Sequence, residues 1–565
     1  MNILGLAFLS DASACVLKDG EIIAAVSEER LNRVKLWNGI PQRAAEAVLR
    51  LAGIGLEEID LIATHGACPA APEEAPYSDK ENRIRKSGLS PERAQAQINH
   101  LRSRLEHERM VLGKRTPGYL AEMRALGKPV VVVGHHEAHA ASAYFGSGWE
   151  NCAVLTADGW GEDGSSTIWL ASGGKMQLRF RSHSFDSLGY FYGSITKALG
   201  FIPHRHEGKV LGLAAHCSKP KSYPVIRAMI DYDRGEKRFL GRMENGYYIP
   251  RFENPYLKEF VQSFSREDVA SAAQQSLEEV VCACVEDLGD SANRLALAGG
   301  VFANVKLNQR LARLKNIKEI RIFPNMGDGG LSVGAAWQVY WQKTGKMPKR
   351  LSTLYLGQES SEKEMEQALR DSGCRFEKPA GLEKRVASLL SERNVVAICR
   401  GRMEYGPRAL GNRSILYPAR DPGVNDWLNR RLARSEFMPF APATLEEYGA
   451  QCYTGLSAVA DAVRFMTTTC DCTDFMRKDA PAAVHVDGTA RPQLVSMRDS
   501  RWFHTMLSAY HQITGSPSVI NTSFNMHEEP IVCTATDALR AFRASALPYL
   551  VLGDFLVEGE KDSIA

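Results

Sequence analysis

Ile3-Leu4-Gly5-Leu6-Ala7-Phe8 is followed by Ser10-Asp11-Ala12-Ser13, by Ala14-Cys15-Val16-Leu17, by Lys18-Asp19-Gly20 and by a run from Glu21 to Val26. The pattern predicts three short strands. Asp19-Gly20 is a strong hairpin signal between the second and third. The polar loop at Ser10–Ser13 can offer backbone N–H groups to a phosphate. A similar device recurs further on. Ala153–Ala157 reads as a strand, Asp158-Gly159-Trp160-Gly161-Glu162-Asp163-Gly164 as a glycine- and acid-rich loop, and Ser166–Leu170 as the return strand. A third element follows: strand Arg294–Ala298, the tight turn Gly299-Gly300, and a helix from Val301 to Leu314. Glycines there let the backbone approach a ligand, and the helix start offers unpaired N–H groups.

Two such hairpins, each opening a half-domain, are what actin-like and sugar-kinase-like ATPase folds use to clamp the phosphates of a nucleotide. The rest of the chain is compatible with that reading. Its 565 residues amount to about three or four domain equivalents or two large domains. The composition, 44% hydrophobic and 24% charged, excludes disorder for the bulk of the chain. Lys+Arg of 69 against Asp+Glu of 66 leaves +3, which argues against an obligate nucleic-acid binder. No apolar run reaches the ~18 residues of a membrane span. The N-terminus lacks the basic flank of a signal peptide. The 12 cysteines are thinly spread, with C-x-C pairs but no C-x-x-C, and suggest reduced thiols in the cytoplasm. Helical spacing over Ala270–Leu288 reads as core. The basic, Pro/Gly-punctuated stretch Thr344–Arg350 marks a boundary, so domains are expected over 1–348 and 349–565. Past it helix and strand alternate, for example Leu382–Arg393 and Val395–Cys399.

The sharpest chemical signal is Gly134-His135-His136-Glu137-Ala138-His139, after the strand Val130–Val133. A helix starting near His135 puts His135 and His139 one turn apart, a common way to hold a transition metal. Asp158 and Asp328 (in Pro324-Asn325-Met326-Gly327-Asp328) both lie just past strands and are candidate acidic partners. Two His and two Asp suit Fe²⁺, Mn²⁺ or Zn²⁺ as a Lewis acid. Lys209, in His206-Glu207-Gly208-Lys209, could face a phosphate or serve as a solvated charge. In the second half, Gly401–Ser414 holds Arg402, Arg408 and Arg413 among glycines, which is good chemistry for phosphate or carboxylate. Arg434 and Arg491 add anion donors. Asn521-Thr522-Ser523, after the strand Ser518–Ile520, could hydrogen-bond a small planar acyl group.

Together these motifs resemble the O-carbamoyltransferase family, the group of the nodulation-factor and tobramycin carbamoyltransferases, over nearly the whole chain. The resemblance implies an α/β protein with an N-terminal actin-like ATPase (ASKHA) domain and a C-terminal YrdC-like α/β domain. It implies that ATP and carbamoyl phosphate give carbamoyl adenylate in the C-terminal domain. The carbamoyl group then passes to the hydroxyl of a small-molecule acceptor, a sugar or secondary metabolite, at the N-terminal site. His135, His139, Asp158 and Asp328 are then the ligands of a divalent metal, Fe²⁺ by the same resemblance. Lys209, Gly299, Gly300 and Asn304 hold the nucleotide, and Arg408, Arg413, Arg434, Arg491, Asn521 and Ser523 the donor side. Three departures stand out. Ser10 replaces a family His, which leaves Asp11 or His136 to assist deprotonation of the acceptor. Leu432 and Met438 replace a family Lys and Arg. His527-Glu528 replaces a small or basic residue and Gly. These departures keep alive a nucleotide-binding regulatory or scaffold protein of the same fold. Neither nucleic acid nor membrane is expected as a partner, and a homodimer is allowed.

Overall fold

A computed structural model describes residues 1–66, 72–162, 164–432 and 440–559. The chain separates into two compact units. One holds Met1–Phe8, Leu17–Glu21 and Glu57–Arg350; the other holds Leu9–Val16, Ile22–Leu56 and the chain from Leu351 on.

Two five-stranded sheets in the first 350 residues share one topology. In the first, the order is Glu21–Ser27, Ser13–Lys18, Asn2–Ala7, Leu61–His65, Val130–Val133. Asn2–Ala7 runs parallel to Leu61–His65, and that strand parallel to Val130–Val133. In the second, the order is Lys175–His183, Gly164–Ser172, Asn151–Gly161, Arg294–Ala298, Glu319–Ile322. Its first three strands are antiparallel and its last two parallel to the opening one. Each sheet is thus a three-strand meander whose first strand is extended by two parallel crossovers. This repeated 3-2-1-4-5 order is the actin-like ATPase fold, and the two hairpins read from the sequence open the two copies. The chain is mixed α/β.

Two details differ from the sequence reading. The strand opened by Ala153 runs on to Gly161 with a bulge between Ala157 and Gly161, so Asp158 lies in an irregular strand end. Bulges re-aim side chains, and this one does so at a candidate ligand. The turn Gly299-Gly300 leads into a 3₁₀ turn, Gly300–Ala303, and the helix begins only at Val305, capped by Asn304.

The helices His135–Ser147 and Leu331–Thr344 cross closely. A Cβ on Gly334 would sit 1.9 Å from the Ala138 carbonyl oxygen, so only glycine permits the approach. Trp337 is fully buried beside it. In the second unit an eight-stranded mixed sheet is covered by the helices Leu382–Ser391 and Arg501–Thr514. Val386, Leu390, Ile398, Leu416, Phe503 and Leu507 form its core. No helix among the described residues is long and apolar enough to cross a membrane.

Candidate metal centre and anion site

The helix His135–Ser147 follows the half-buried strand Val130–Val133 through Gly134. Its first free N–H, on His135, donates to Glu162 Oε1 at 2.7 Å. That bond seats the helix on the hairpin loop that carries Asp158. One turn apart, His135 and His139 both point at Asp158 and Asp328. His139 Nε2 lies 3.1 Å from Asp158 Oδ2 and 3.5 Å from Asp328 Oδ1. His135 Nε2 lies 3.8 Å and 3.7 Å from the same two oxygens. Two atoms each about 2.1 Å from one ion are at most about 4.2 Å apart, and these four distances satisfy that limit. Both imidazoles are buried, and His135 Nε2 has no hydrogen-bond partner. Burial alone would push the Asp158 carboxyl up, but the two imidazoles hold it well below the carboxylate range. A buried imidazole nitrogen facing two carboxylates fits a divalent cation.

The supports of the cluster are specific. A Cβ on Gly161 would lie 2.1 Å from the His135 ring. Ser187 Oγ donates to the Asp158 carbonyl at 3.0 Å, and Gly189 packs against the same peptide. Asp328 opens the helix whose Gly334 crosses at Ala138, next to His139. His136 is turned elsewhere. Its Nδ1 lies 2.9 Å from Thr156 Oγ1, and burial with the neighbouring His135 and His139 keeps it neutral. It is not one of the converging ligands. Asp11 takes a left-handed conformation (φ 52°) in the segment that clusters with the second unit.

Gly299 (φ 104°) has no room for a side chain, since its Cβ would sit 2.1 Å from the Ala157 carbonyl oxygen. A Cβ on Gly300 would lie 3.0 Å from Asp158 Oδ1, so this turn lies against the carboxylate cluster. Asn304 departs from its expected role as a ligand contact. Its Oδ1 accepts from Leu307 N, capping the helix, and its amide exchanges hydrogen bonds with Gln274. Lys209 is buried on the helix Glu207–Ala214. Sequence reasoning missed the groove beyond Gln274. There Glu278, Glu279 and Glu286 face Lys306, Arg310 and Arg313 across a cavity of about 480 Å³. Burial raises Glu278, while Gln274 Nε2 donates to it at 2.7 Å. The Glu278 and Cys282 side of the groove had read simply as helix core.

In the second unit the Gly401–Ser414 loop is organised by Glu404, which sequence reasoning passed over. Its Oε1 accepts from the backbone of Leu410, Asn412 and Arg413 at 2.7, 2.9 and 3.1 Å. The arginines of this loop divide. Arg413, a candidate for the donor side, is engaged by backbone carbonyls. Its buried guanidinium donates to the carbonyls of Arg400, Gly401, Asn412, Gln358 and Cys533. Arg402 likewise donates to Ile23 and Leu356. Among the described residues Arg408 makes no such bonds. Its Nε is buried without a partner, and burial together with the nearby charge of Arg491 lowers its pKa well below the usual value. A guanidinium nitrogen buried without an acceptor costs energy that a bound anion would relieve. Asn521 is likewise engaged within the protein. Its Nδ2 donates to Ala409 O and Gln493 Oε1, and Gln493 donates to Leu410 O, so both amides hold the Arg408 loop from behind. Ser523 Oγ donates to Asn525 Oδ1 at 2.6 Å. Leu432, where the resemblance expects a Lys, is fully buried. Arg434 and Met438 lie outside the described residues.

Comparison with known proteins matches both parts of the chain. Residues 2–337 match the family model for the carbamoyltransferase N-terminus, and residues 387–559 that for the carbamoyltransferase C-terminus. The nodulation protein NolNO of Sinorhizobium fredii is 31% identical over 98% of this chain and 79% of its own length. An uncharacterized protein of Methanocaldococcus jannaschii is 28% identical over 99% of this chain and 100% of its own. Component A of the Acidaminococcus fermentans (R)-2-hydroxyglutaryl-CoA dehydratase has 15% identity, covering 61% of this chain and 100% of that one at a TM-score of 0.37. The chain is a carbamoyl-transferring enzyme. It belongs to the carbamoyltransferase family, matched in both its N- and C-terminal parts.

Proposed function

We propose that this enzyme makes carbamoyl adenylate from carbamoyl phosphate and ATP, and transfers the carbamoyl group to a hydroxyl of a sugar or secondary metabolite in the cytoplasm. The observation that carries the donor half is the buried Nε of Arg408, without a partner among the described residues, on a loop that Glu404 holds in place. The atoms balance when carbamoyl phosphate, ATP and water give carbamoyl adenylate, pyrophosphate and phosphate. In the second step the acceptor oxygen bonds the carbamoyl carbon, AMP departs with the bond electrons, and the hydroxyl proton is lost to a base.

Arg408 and Arg491 would bind the phosphate of the donor and offset the charge that develops on it. The Glu404 and Asn521–Gln493 bonds keep that loop in place before substrate arrives, so little reorganisation is needed. A YrdC-like role for the eight-stranded unit follows from the same reading. In the first unit, Gly299 and Gly300 would let the adenylate backbone lie close to the carboxylates, with Lys209 toward its phosphate. Glu278 and Lys306 would receive the ribose and base in the groove. His135, His139, Asp158 and Asp328 would hold a divalent metal; the donor set suits Fe²⁺, Mn²⁺ or Zn²⁺, and the family resemblance favours Fe²⁺. Bound there, it would supply Lewis acidity toward a carbonyl or phosphoryl oxygen. His136, fixed as a neutral imidazole, and Asp11 remain the candidate bases.

The test is pyrophosphate and phosphate release from purified protein with ATP and carbamoyl phosphate, with and without Fe²⁺, and with no acceptor. Equal release of both, dependent on carbamoyl phosphate and lost in Arg408→Ala and Arg491→Ala, supports the reading. Folded protein that binds ATP but releases neither would return the chain to the regulatory class.

A further inference from the structure

The second compact unit contains residues 22–56, which include the short helix Glu29–Asn32. Arg30 on this helix is buried, and its Nη2 donates to the Gly406 carbonyl at 2.9 Å. Arg33 closes the helix in a left-handed conformation (φ 64°). Its two terminal nitrogens fork onto consecutive carbonyls, Nη1 to Ile531 and Nη2 to Pro530, each at 2.7 Å. Leu31, between the two arginines, packs on Met403, Ala409, Ile531 and Cys533.

These carbonyls are well placed. Gly406 precedes Arg408 by two residues and sits at φ 126°, a backbone conformation that glycine alone adopts readily. Pro530 and Ile531 follow Glu529, whose carbonyl accepts from Asn525, and Asn525 accepts from Ser523. Glu404, Gln493 and Asn521 hold the Arg408 loop through residues 409–413. Arg30 adds the hold on the Gly406 side, and Arg33 holds the facing loop. Charge-assisted bonds to carbonyls are strong, and a guanidinium fork fixes geometry as well as distance. Arg30 also pairs with Glu29 at 3.4 Å and Arg33 with Asp537 at 3.6 Å, so carboxylates balance their charges while the guanidiniums hold the loops.

We propose that Arg30 and Arg33 are positioning residues for the anion site, setting the spacing between the Gly406–Arg408 loop and the Ser523–Ile531 loop. The inference rests on the donor reading above for its reaction. It also assigns to a turn in the first tenth of the chain a working part in the chemistry of the second unit.

The experiment uses the full chain carrying Arg33→Met, Arg33→Lys or Arg30→Lys. The readouts are carbamoyl phosphate-dependent pyrophosphate release and backbone hydrogen exchange. The expected result for Arg33→Met is a KM for carbamoyl phosphate raised about 10- to 100-fold, because loops displaced by about an ångström lose that much. The KM for ATP and the kcat should stay within about threefold, on the same scale. Lysine, which cannot fork, should fall between wild type and Met. Exchange should quicken at 404–411 and 526–532 and stay unchanged in the core strand Val396–Cys399. A uniform fall in kcat with both KM values, or an unchanged KM for carbamoyl phosphate, would overturn the inference. If the wild type releases no pyrophosphate, the donor reading has failed, and the brace is then read with inorganic phosphate. Phosphate that protects both loops in wild type but not in Arg33→Met supports it, and equal protection in both overturns it.

Discussion

The carboxylate–imidazole cluster of the first unit and the arginine loop of the second gather opposite charge by opposite means. In the cluster, four side chains from three separate stretches converge, and the surrounding glycines exist to let them meet. In the loop, three arginines arrive within twelve residues of one another, and the structure's task is to keep them from doing the same thing. Backbone carbonyls saturate Arg413 and occupy Arg402, leaving Arg408 with Arg491. A motif rich in one residue type therefore does not assign a role to each member. Counting the partners of each guanidinium does.

The division can be broken most sharply at the first site. Asp158→Asn or His139→Ala should lower carbamoyl transfer more than about 100-fold, beyond what second-layer changes at metal sites cost. Metal content by elemental analysis should fall with it, while acceptor-independent pyrophosphate release should change little. Equal loss of both activities would mean that the two sites are not separate. The arginines come next. Arg408→Ala should reduce pyrophosphate release about 10²- to 10³-fold with the unfolding midpoint unchanged or raised, since a poorly paired cation is removed. Arg413→Met should instead cost about 3–5 kcal/mol of stability, read by denaturant titration, because five carbonyls lose their donor.

A glycine pair sharpens the comparison further. Gly161→Ala should weaken metal binding about 10- to 100-fold by pushing the His135 ring aside, while Gly159→Ala, with nothing within 4 Å of its Cβ, should leave affinity unchanged. The smallest effect belongs to an ion pair outside both sites. Burial would raise Asp499, but hydrogen bonds from Arg464 at 2.5 and 2.9 Å hold its carboxyl below the usual range. A lowered folded value contributes stability that is fully present above the unfolded value of about 3.9 and is lost as pH falls through the folded one. Urea midpoints measured in acid should therefore fall less steeply for Asp499→Asn than for wild type.

Much of the first site was legible because its signals are local. The i, i+4 histidines, the strand-then-acid pattern at Asp158 and Asp328, and the Gly-Gly turn each need only neighbouring residues to be recognised. Glu162 and Gly161 lay inside a loop already singled out, but their roles depend on where the His135 helix docks. Ser187 carried no sequence signal, since a serine that caps one helix and holds a distant carbonyl looks like any other serine. The family resemblance alone gives Asn304 a nucleotide contact. A start at Val305 makes it a cap, which is the commoner use of asparagine in that position.

The sequence by itself determined the α/β class and the repeated hairpins that define an actin-like fold, and it set His135 and His139 one helical turn apart. These follow from strand periodicity, turn chemistry and residue spacing, all of which act over a few residues, whereas the family and the joining of both aspartates to the histidines came from the resemblance of long motifs. Only the tertiary structure decided which arginine is left with an open guanidinium, that Asn521 supports a loop, and that residues 22–56 belong with the second unit. Those outcomes depend on which carbonyls and side chains meet across hundreds of residues. Buried polar groups must find partners wherever the folded chain brings them, and that pairing is not written in local spacing.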